Sequence, residues 1–177
     1  GTFKLIPLIE TTGAVMNIKD ICMACNRVVA VAFGCEDYVT NLQGKHDLVG
    51  DSIFTARSLI ALSARACGIQ PVDTVHIKVH DLDDLERNLV ISKNLGFEGM
   101  LVLNPKELDL VHRYFSPTKE EVEWAEEMIT LSNEAIHAGK GVAVKDNKFI
   151  GPPMVKMANN ILQKSELVRN ADKNIKK

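Results

Sequence analysis

The sequence predicts an α/β fold built on a parallel sheet, and three observations carry that prediction. Short runs of branched apolar residues recur along the chain, separated by longer stretches with helical periodicity. These runs lack the apolar–polar alternation of a strand with one wet face, most clearly Val28–Phe33, as expected of parallel strands covered on both sides. Leucine and alanine are plentiful while aromatics make up only 5%, the balance of a helix-rich chain.

The elements follow in order. Strands are expected at Leu5–Ile9, Val28–Phe33, Thr74–Val79 and Met100–Leu103. Asn17–Cys25 carries Ile18, Ile21, Cys22 and Cys25 at helical steps, and Ile53–Cys67 carries Leu59, Leu62 and Ala66 on one face before Gly68 stops it. Asp83–Asn94 opens with acids and ends at Gly96. The alternation of strand and helix predicts right-handed parallel crossovers. In "SPTKEEVEWAEEMI", Thr118 and Glu121 form a capping box for a helix running to about Ala138. "GKGVAVKDNKFIGPP" reads as a hairpin turning at Asp146-Asn147, "MVKMANNIL" as a last helix, and Ser165–Lys177 as a frayed, charged tail.

The bulk numbers exclude several classes. The 177 residues suffice for a sizeable core, and the net charge of −2 gives neither nucleic acid nor an anionic membrane a basic surface to meet. No apolar run approaches the roughly 20 residues of a membrane span. Lys4 and Pro7 interrupt the one apolar N-terminal stretch, so no signal peptide is expected. The four cysteines sit among small apolar residues and read as reduced thiols of a cytoplasmic protein. The chain opens on Gly1 and enters a strand with almost no lead, which reads as a processed chain or part of a longer one.

The chemistry gathers at two strand ends. "IPLIETTGAVMNIKDI" ends an apolar run in Glu10, and "VVAVAFGCEDYV" turns at Gly34 before presenting Glu36 and Asp37. In parallel α/β folds, ligands collect at the carboxyl ends of strands. Glu10 and Asp37 lie 27 residues apart, about one strand–helix–strand unit, and adjacent parallel strands sit about 4.8 Å apart. The two carboxylates can therefore share a divalent cation, with oxygen donors favouring Mg²⁺ or Mn²⁺. The plainer alternative makes Glu10 a helix cap and Asp37 a solvated acid.

The ordered series "IPLIETTGAVMNIKDI", "VVAVAFGCEDYVTNLQG", "FTARSLIALSARACGIQPVDTV", "GFEGMLVLNPKELDLVHRYFSPTKEEVEWAEEMI" and "GVAVKDNKFIGPPMVKMANNIL" resembles the citrate lyase beta-subunit-like family. That family includes malyl-CoA and citramalyl-CoA lyases and is similar to the class II pyruvate aldolases. The resemblance implies the second half of a TIM (β/α)₈ barrel, four parallel strands, plus C-terminal helices. It divides the chain into a half-barrel over residues 1–115, a helical extension or lid with a short hairpin over 116–164, and a disordered tail over 165–177. It implies a Mg²⁺-dependent (or Mn²⁺-dependent) lyase cleaving or forming C–C bonds in a CoA thioester, assembled as a homo-oligomer, a trimer or hexamer. The family's "IET" glutamate falls on Glu10 and its "GAED" aspartate on Asp37, the metal ligands. Gly34 would let the Cys35 and Glu36 amides meet a substrate carboxylate, or is simply a turn glycine, and Asn104, Pro105 and Lys106 would meet the CoA.

Three departures qualify these expectations. Only four of eight strands are in the sequence, so the arginine that the family's first half turns to the substrate carbonyl has no counterpart, and no catalytic residue is assigned. The acid that usually precedes the proline of the C-terminal segment is replaced by Gly151 in "KFIGPP", and the "IHP" histidine by Asn104. Rival readings are a pyruvate-type aldolase acting on free hydroxy-keto acids and a half-barrel module without turnover.

Other residues read as structural. Cys22 and Cys25 form a CxxC with no matching second pair, and core packing is expected. His76 and His80 lie in a strand-like run, where a spacing of four does not converge on a metal. Met23, Met100, Met128, Met154 and Met157 read as core filler, Trp124 as packing, Arg65 as a salt bridge, and Arg57 as a candidate substrate contact.

Overall fold

The computed structural model describes residues 3–46, 50–140, 142–145 and 148–175. They belong to two compact units, Gly1–Phe115 and Ser116–Lys177. The first runs β1 (Leu8–Ile9), α1 (Thr12–Met16), α2 (Ile18–Met23), β2 (Ala30–Phe33), α3 (Cys35–Leu42), α4 (Asp51–Ala66), β3 (Gln70–Asp73), α5 (Leu82–Leu95), β4 (Gly99–Met100), a 3-10 turn (Pro105–Glu107) and α6 (Leu108–Phe115). The four strands pair in sequence order, β1-β2-β3-β4, and every pairing is parallel. A bridge between Leu5 and Val28 extends the β1–β2 ladder toward its start.

The register sorts the two sheet faces. Leu8 pairs with Ala32 and Ile9 with Phe33, so Ile9, Val31 and Phe33 share a face. They are at most 1% exposed and pack with Ile18 and Cys22 of α2, Tyr38 and Val39 of α3, and Ile53, Ala56 and Ile60 of α4. Farther along, Met100 packs with Leu85 and Leu89 of α5 and Val111 of α6. The opposite face carries the small side chains of Ala30 and Ala32, and Leu8 there is half-exposed.

Several expectations need correction. The third strand is Gln70–Asp73 rather than Thr74–Val79, which forms the loop leaving it. Pro71 hides this strand from a propensity reading, since proline cannot donate to a ladder. The position tolerates it: Gln70 N–H donates to Val29 O on the β2 side, and the Pro71 carbonyl accepts from Glu98 N–H just before β4 begins. Likewise the last strand is only Gly99–Met100, with Leu101 N–H still bonded to Asp73 O. Helix α4 buries Ile53, Ala56, Arg57, Ile60, Ala61 and Ala64, whereas Leu59 and Leu62 are 37% and 68% exposed. The alanine face lets the helix approach the sheet closely, and closeness outweighs the larger leucines. Met23 and Met157 are also exposed rather than core filler.

The second unit holds α7 (Lys119–His137), an antiparallel hairpin of β5 (Ala143–Lys145) and β6 (Lys148–Ile150), and α8 (Pro152–Ile175). Its capping box forms: Thr118 Oγ1 accepts from Glu121 N–H at 3.1 Å, and Glu121 Oε2 accepts from Thr118 N–H at 2.9 Å. Trp124, Ala125 and Met128 pack with Ile150 and Ala158. The segment from Ser165 onward, expected as a frayed tail, continues α8 to Ile175. The expected hairpin turn at Asp146-Asn147 lies outside the described residues.

The burial of α4 gives a paired test. Ile60→Ala should destabilise the protein by about 2–5 kcal/mol in urea denaturation. Leu62→Ala should stay within about 0.5 kcal/mol of wild type.

Candidate functional site

Glu10 directly follows β1 and Gly34 directly follows β2, and Gly34 N–H donates to Ile9 O at 2.9 Å. The two strand ends therefore meet at the carboxyl edge of the sheet. A Cβ on Gly34 would stand 2.9 Å from Glu10 Cβ and 3.1 Å from Glu10 Oε2. Glycine is required here by the close approach of the Glu10 side chain, not by backbone strain, since its φ is −105°. From Gly34 the chain enters α3, whose first turn carries Glu36 and Asp37. Acids in a first turn are favoured by the helix dipole. Among the described residues, the carboxylates of Glu10 and Asp37 have no hydrogen-bond or ion-pair partner.

Beside them runs a buried polar relay. Arg57 of α4 and Asp73 of β3 are 3% and 0% exposed and form an ion pair, with Arg57 Nε 3.1 Å from Asp73 Oδ2 and Nη2 also donating. Asp73 Oδ1 accepts from Thr74 N–H at 2.8 Å, and Thr74 Oγ1 accepts from Cys35 N–H at 3.2 Å. The Cys35 amide expected to meet a substrate carboxylate is thus engaged by Thr74. Burial pushes the Cys35 thiol up to about 11. Arg57, Thr74 and Cys35 border a cavity of about 360 Å³ that Glu36, His46, Lys78 and Arg87 also line.

The far wall of the cavity is held by Asp84 near the start of α5. Asp84 Oδ2 lies 3.0 Å from His76 Nε2, and Oδ1 lies 2.9 Å from Arg87 Nη2 and 3.2 Å from Lys78 Nζ. Desolvation raises its pKa, but the hydrogen bonds from His76, Arg87 and Lys78 outweigh it and hold the carboxyl at about 2. His76 Nδ1 in turn faces the buried Glu107 Oε1 at 3.6 Å. Asn104 caps the 3-10 turn, accepting from Lys106 N–H at 3.0 Å and donating from Nδ2 to Val79 O at 3.1 Å, while Pro105 and Lys106 are exposed.

The predicted residues fall into three places. Glu10, Gly34 and Asp37 lie at the ends of β1 and β2, whereas Cys35 and Glu36 line the cavity. Asn104, Pro105 and Lys106 stand apart in the loop after β4. Sequence reasoning missed His46, Thr74, Asp84 and Arg87. Arg57, a candidate substrate contact, is instead locked to Asp73; a charge inside each of the apolar segments "TARSLIA" and "PVDTV" was the available signal. Arg65 makes its expected salt bridge, to Glu98. Cys22 is buried in the core, but its CxxC partner Cys25 is only half-buried. His76 sits in a loop rather than a strand, with its two ring nitrogens facing the carboxylates of Asp84 and Glu107. In the second unit, a Cβ on Gly151 would overlap the Phe149 ring where it now stands, but that ring is 58% exposed and free to swing aside, so packing accommodates the glycine without requiring it.

Residues 1–105 match the HpcH/HpaI aldolase/citrate lyase family model. The chain is 32% identical to the citrate lyase subunit beta of Haemophilus influenzae over 94% of its own length and 57% of that protein. It is also 32% identical to the mitochondrial citramalyl-CoA lyase of Rattus norvegicus, over 90% of this chain and 49% of that one. It thus spans about half the length of the curated relatives it matches. Among solved structures, the CitE protein of Mycobacterium tuberculosis in complex with magnesium, acetoacetate and coenzyme A shares the fold, with a TM-score of 0.76 at 23% identity over 92% of this chain and 61% of that one. The M. tuberculosis citrate lyase beta subunit complexed with oxaloacetate and magnesium gives a TM-score of 0.59 at 26% identity over 64% and 53%.

The relay and the Asp84 cluster each yield a stability test. Asp73→Asn leaves the Arg57 charge buried without its counter-ion and should cost about 3–5 kcal/mol in urea denaturation. Asp84 has its carboxyl lowered to about 2 from an ordinary 3.8, so its contribution is full above about pH 4 and fades as the pH falls through about 2. Denaturation measured at each pH should show a shallower loss across that window in Asp84→Asn than in wild type.

Proposed function

Since the chain belongs to the HpcH/HpaI aldolase/citrate lyase family, we propose that it is part of a divalent-metal-dependent lyase that cleaves or forms a C–C bond in a CoA thioester of the citryl, malyl or citramalyl type. The carrying observation is the pairing of strand ends that sets Glu10 against Gly34, with Asp37 in the helical turn that follows. Two partnerless carboxylates at one sheet edge, one of them packed where a Cβ would intrude, suit a hard cation held by oxygen. Glu10 and Asp37 would hold Mg²⁺ or Mn²⁺. Bound there, the ion would supply Lewis-acid polarisation of the keto-acid portion of the substrate.

This chain's residues do the remaining work. Gly34 keeps the space that Glu10 needs, and Glu36 presents an amide beside the substrate carboxylate. Thr74 holds the Cys35 amide in line with the strand end. Asn104, Pro105 and Lys106 contribute to the CoA contact. The parallel sheet of residues 1–115 is the second half of a TIM barrel, and residues 116–164 are its C-terminal helical extension. Leu5, Ile6 and Leu8 are 38%, 59% and 49% exposed along the β1 edge, an open edge that further barrel strands or another chain would cover. The assembly expected of the whole protein is a trimer or hexamer. The cysteines are all free thiols, which fits a cytoplasmic compartment. No helix among the described residues is long and apolar enough to cross a membrane.

A second reading, a module without turnover, draws on Gly151, which leaves no carboxylate where the family's acid usually precedes the proline. Metal affinity with no cleavage of any CoA ester would favour it.

Mn²⁺ titration followed by electron paramagnetic resonance tests the metal site. Asp37→Asn should bind Mn²⁺ at least about tenfold more weakly than wild type, and Glu36→Gln should fall between them. Equal binding by Asp37→Asn and wild type removes Asp37 from the site.

A further inference from the structure

We propose that Cys35, Glu36 and His46 form a second cation site, one that takes a borderline-soft divalent ion such as Zn²⁺ rather than Mg²⁺. Cys35 Sγ, Glu36 Oε1 and His46 Nε2 all lie within 4.8 Å of one another. Glu36 Oε1 is the hub, 3.4 Å from the thiol sulfur and 2.9 Å from the imidazole nitrogen. Two residues come from the first turn of α3. The third returns to them because α3 ends at Gln43 in a left-handed conformation, φ 59°, which reverses the chain toward His46.

The donor set selects the ion. Thiolate, imidazole and carboxylate together are the ligands of Zn²⁺, bound at about 2.3, 2.0–2.1 and 2.0–2.2 Å respectively. In a tetrahedron with those bond lengths, neighbouring donors stand about 3.4–3.6 Å apart. The Cys35–Glu36 separation is within about 0.3 Å of such an edge, and the His46–Glu36 contact has to widen by only about half an ångström. The Glu36 and His46 side chains are 50% and 33% exposed, so both can make that adjustment. Hard Mg²⁺ prefers an all-oxygen set, which the Glu10–Asp37 pair offers and this trio does not. On binding, the thiol proton passes to solvent and the imidazole coordinates in its neutral form; no electron transfer is involved. All three residues line the 360 Å³ cavity, so the fourth position of the ion is left to water or to an anionic group entering it.

The test uses the chelator-treated full chain titrated with Co²⁺ in excess Mg²⁺, followed by absorbance. Wild type should develop a thiolate-to-cobalt charge-transfer band that saturates at one equivalent and is abolished by Zn²⁺. Cys35→Ser should lose the band, and His46→Ala should weaken Co²⁺ binding at least tenfold. Asp37→Asn should keep the band, which separates this site from the Glu10–Asp37 pair whatever the fate of that pair. Absence of the band in wild type, its persistence in Cys35→Ser, or its loss in Asp37→Asn overturns the proposal. If Cys35→Ser does not fold by circular dichroism, the partly exposed His46→Ala decides alone, and unchanged affinity there overturns it.

Discussion

A guanidinium buried against a carboxylate organises this sheet edge. Arg57 and Asp73 are both shut away from water, and a charge in such a place is tolerated only when its partner is fixed. That requirement locks the azimuth of α4 on the sheet: Arg57 must point inward, so Ala56, Ile60, Ala61 and Ala64 go inward with it. It also fixes the exit from β3, since Asp73 Oδ1 holds the Thr74 amide and Thr74 then holds Cys35. Three elements of different sequence origin are thereby set in one register at the edge where Glu10 and Asp37 emerge.

The same edge separates two kinds of environment. Glu10 and Asp37 offer oxygen acceptors that nothing else in the described chain uses. Asp84, by contrast, is saturated by His76, Lys78 and Arg87 and serves as a structural anchor. A carboxylate that is already satisfied gains little by accepting another cation, whereas an unsatisfied one close to a strand end gains much. The distinction lies in the partners, not in the residue type.

Most of the sheet was legible because its signals are local. Apolar runs gave three strands near their observed places, and Thr118 with Glu121 announced α7. The Asp81 cap and the left-handed Gly96, φ 93°, bracket α5 within two residues of its expected ends. The rest depends on contacts that no window contains. Pro71 masked β3, because its missing N–H is harmless only given the short β4 beside it. Leucine content pointed to the wrong face of α4, since hydrophobicity does not report how closely a helix must approach a sheet. Glu10 and Asp37 were visible as acids after strands, but Cys35, Glu36 and His46 converge only through the turn at Gln43. Arg57 and Asp73, 16 positions apart, carry no periodic mark at all.

The strand order has a consequence for how the chain reaches this state. Because β1, β2, β3 and β4 lie side by side in the order in which they occur, β2, β3 and β4 each find a partner in the strand just before them. Every pairing closes a loop of only one or two helices, so the entropic penalty is met in small instalments rather than in one long-range event. A ribosome delivers such a chain in a usable sequence: β2, β3 and β4 each emerge to a finished edge in the strand before them.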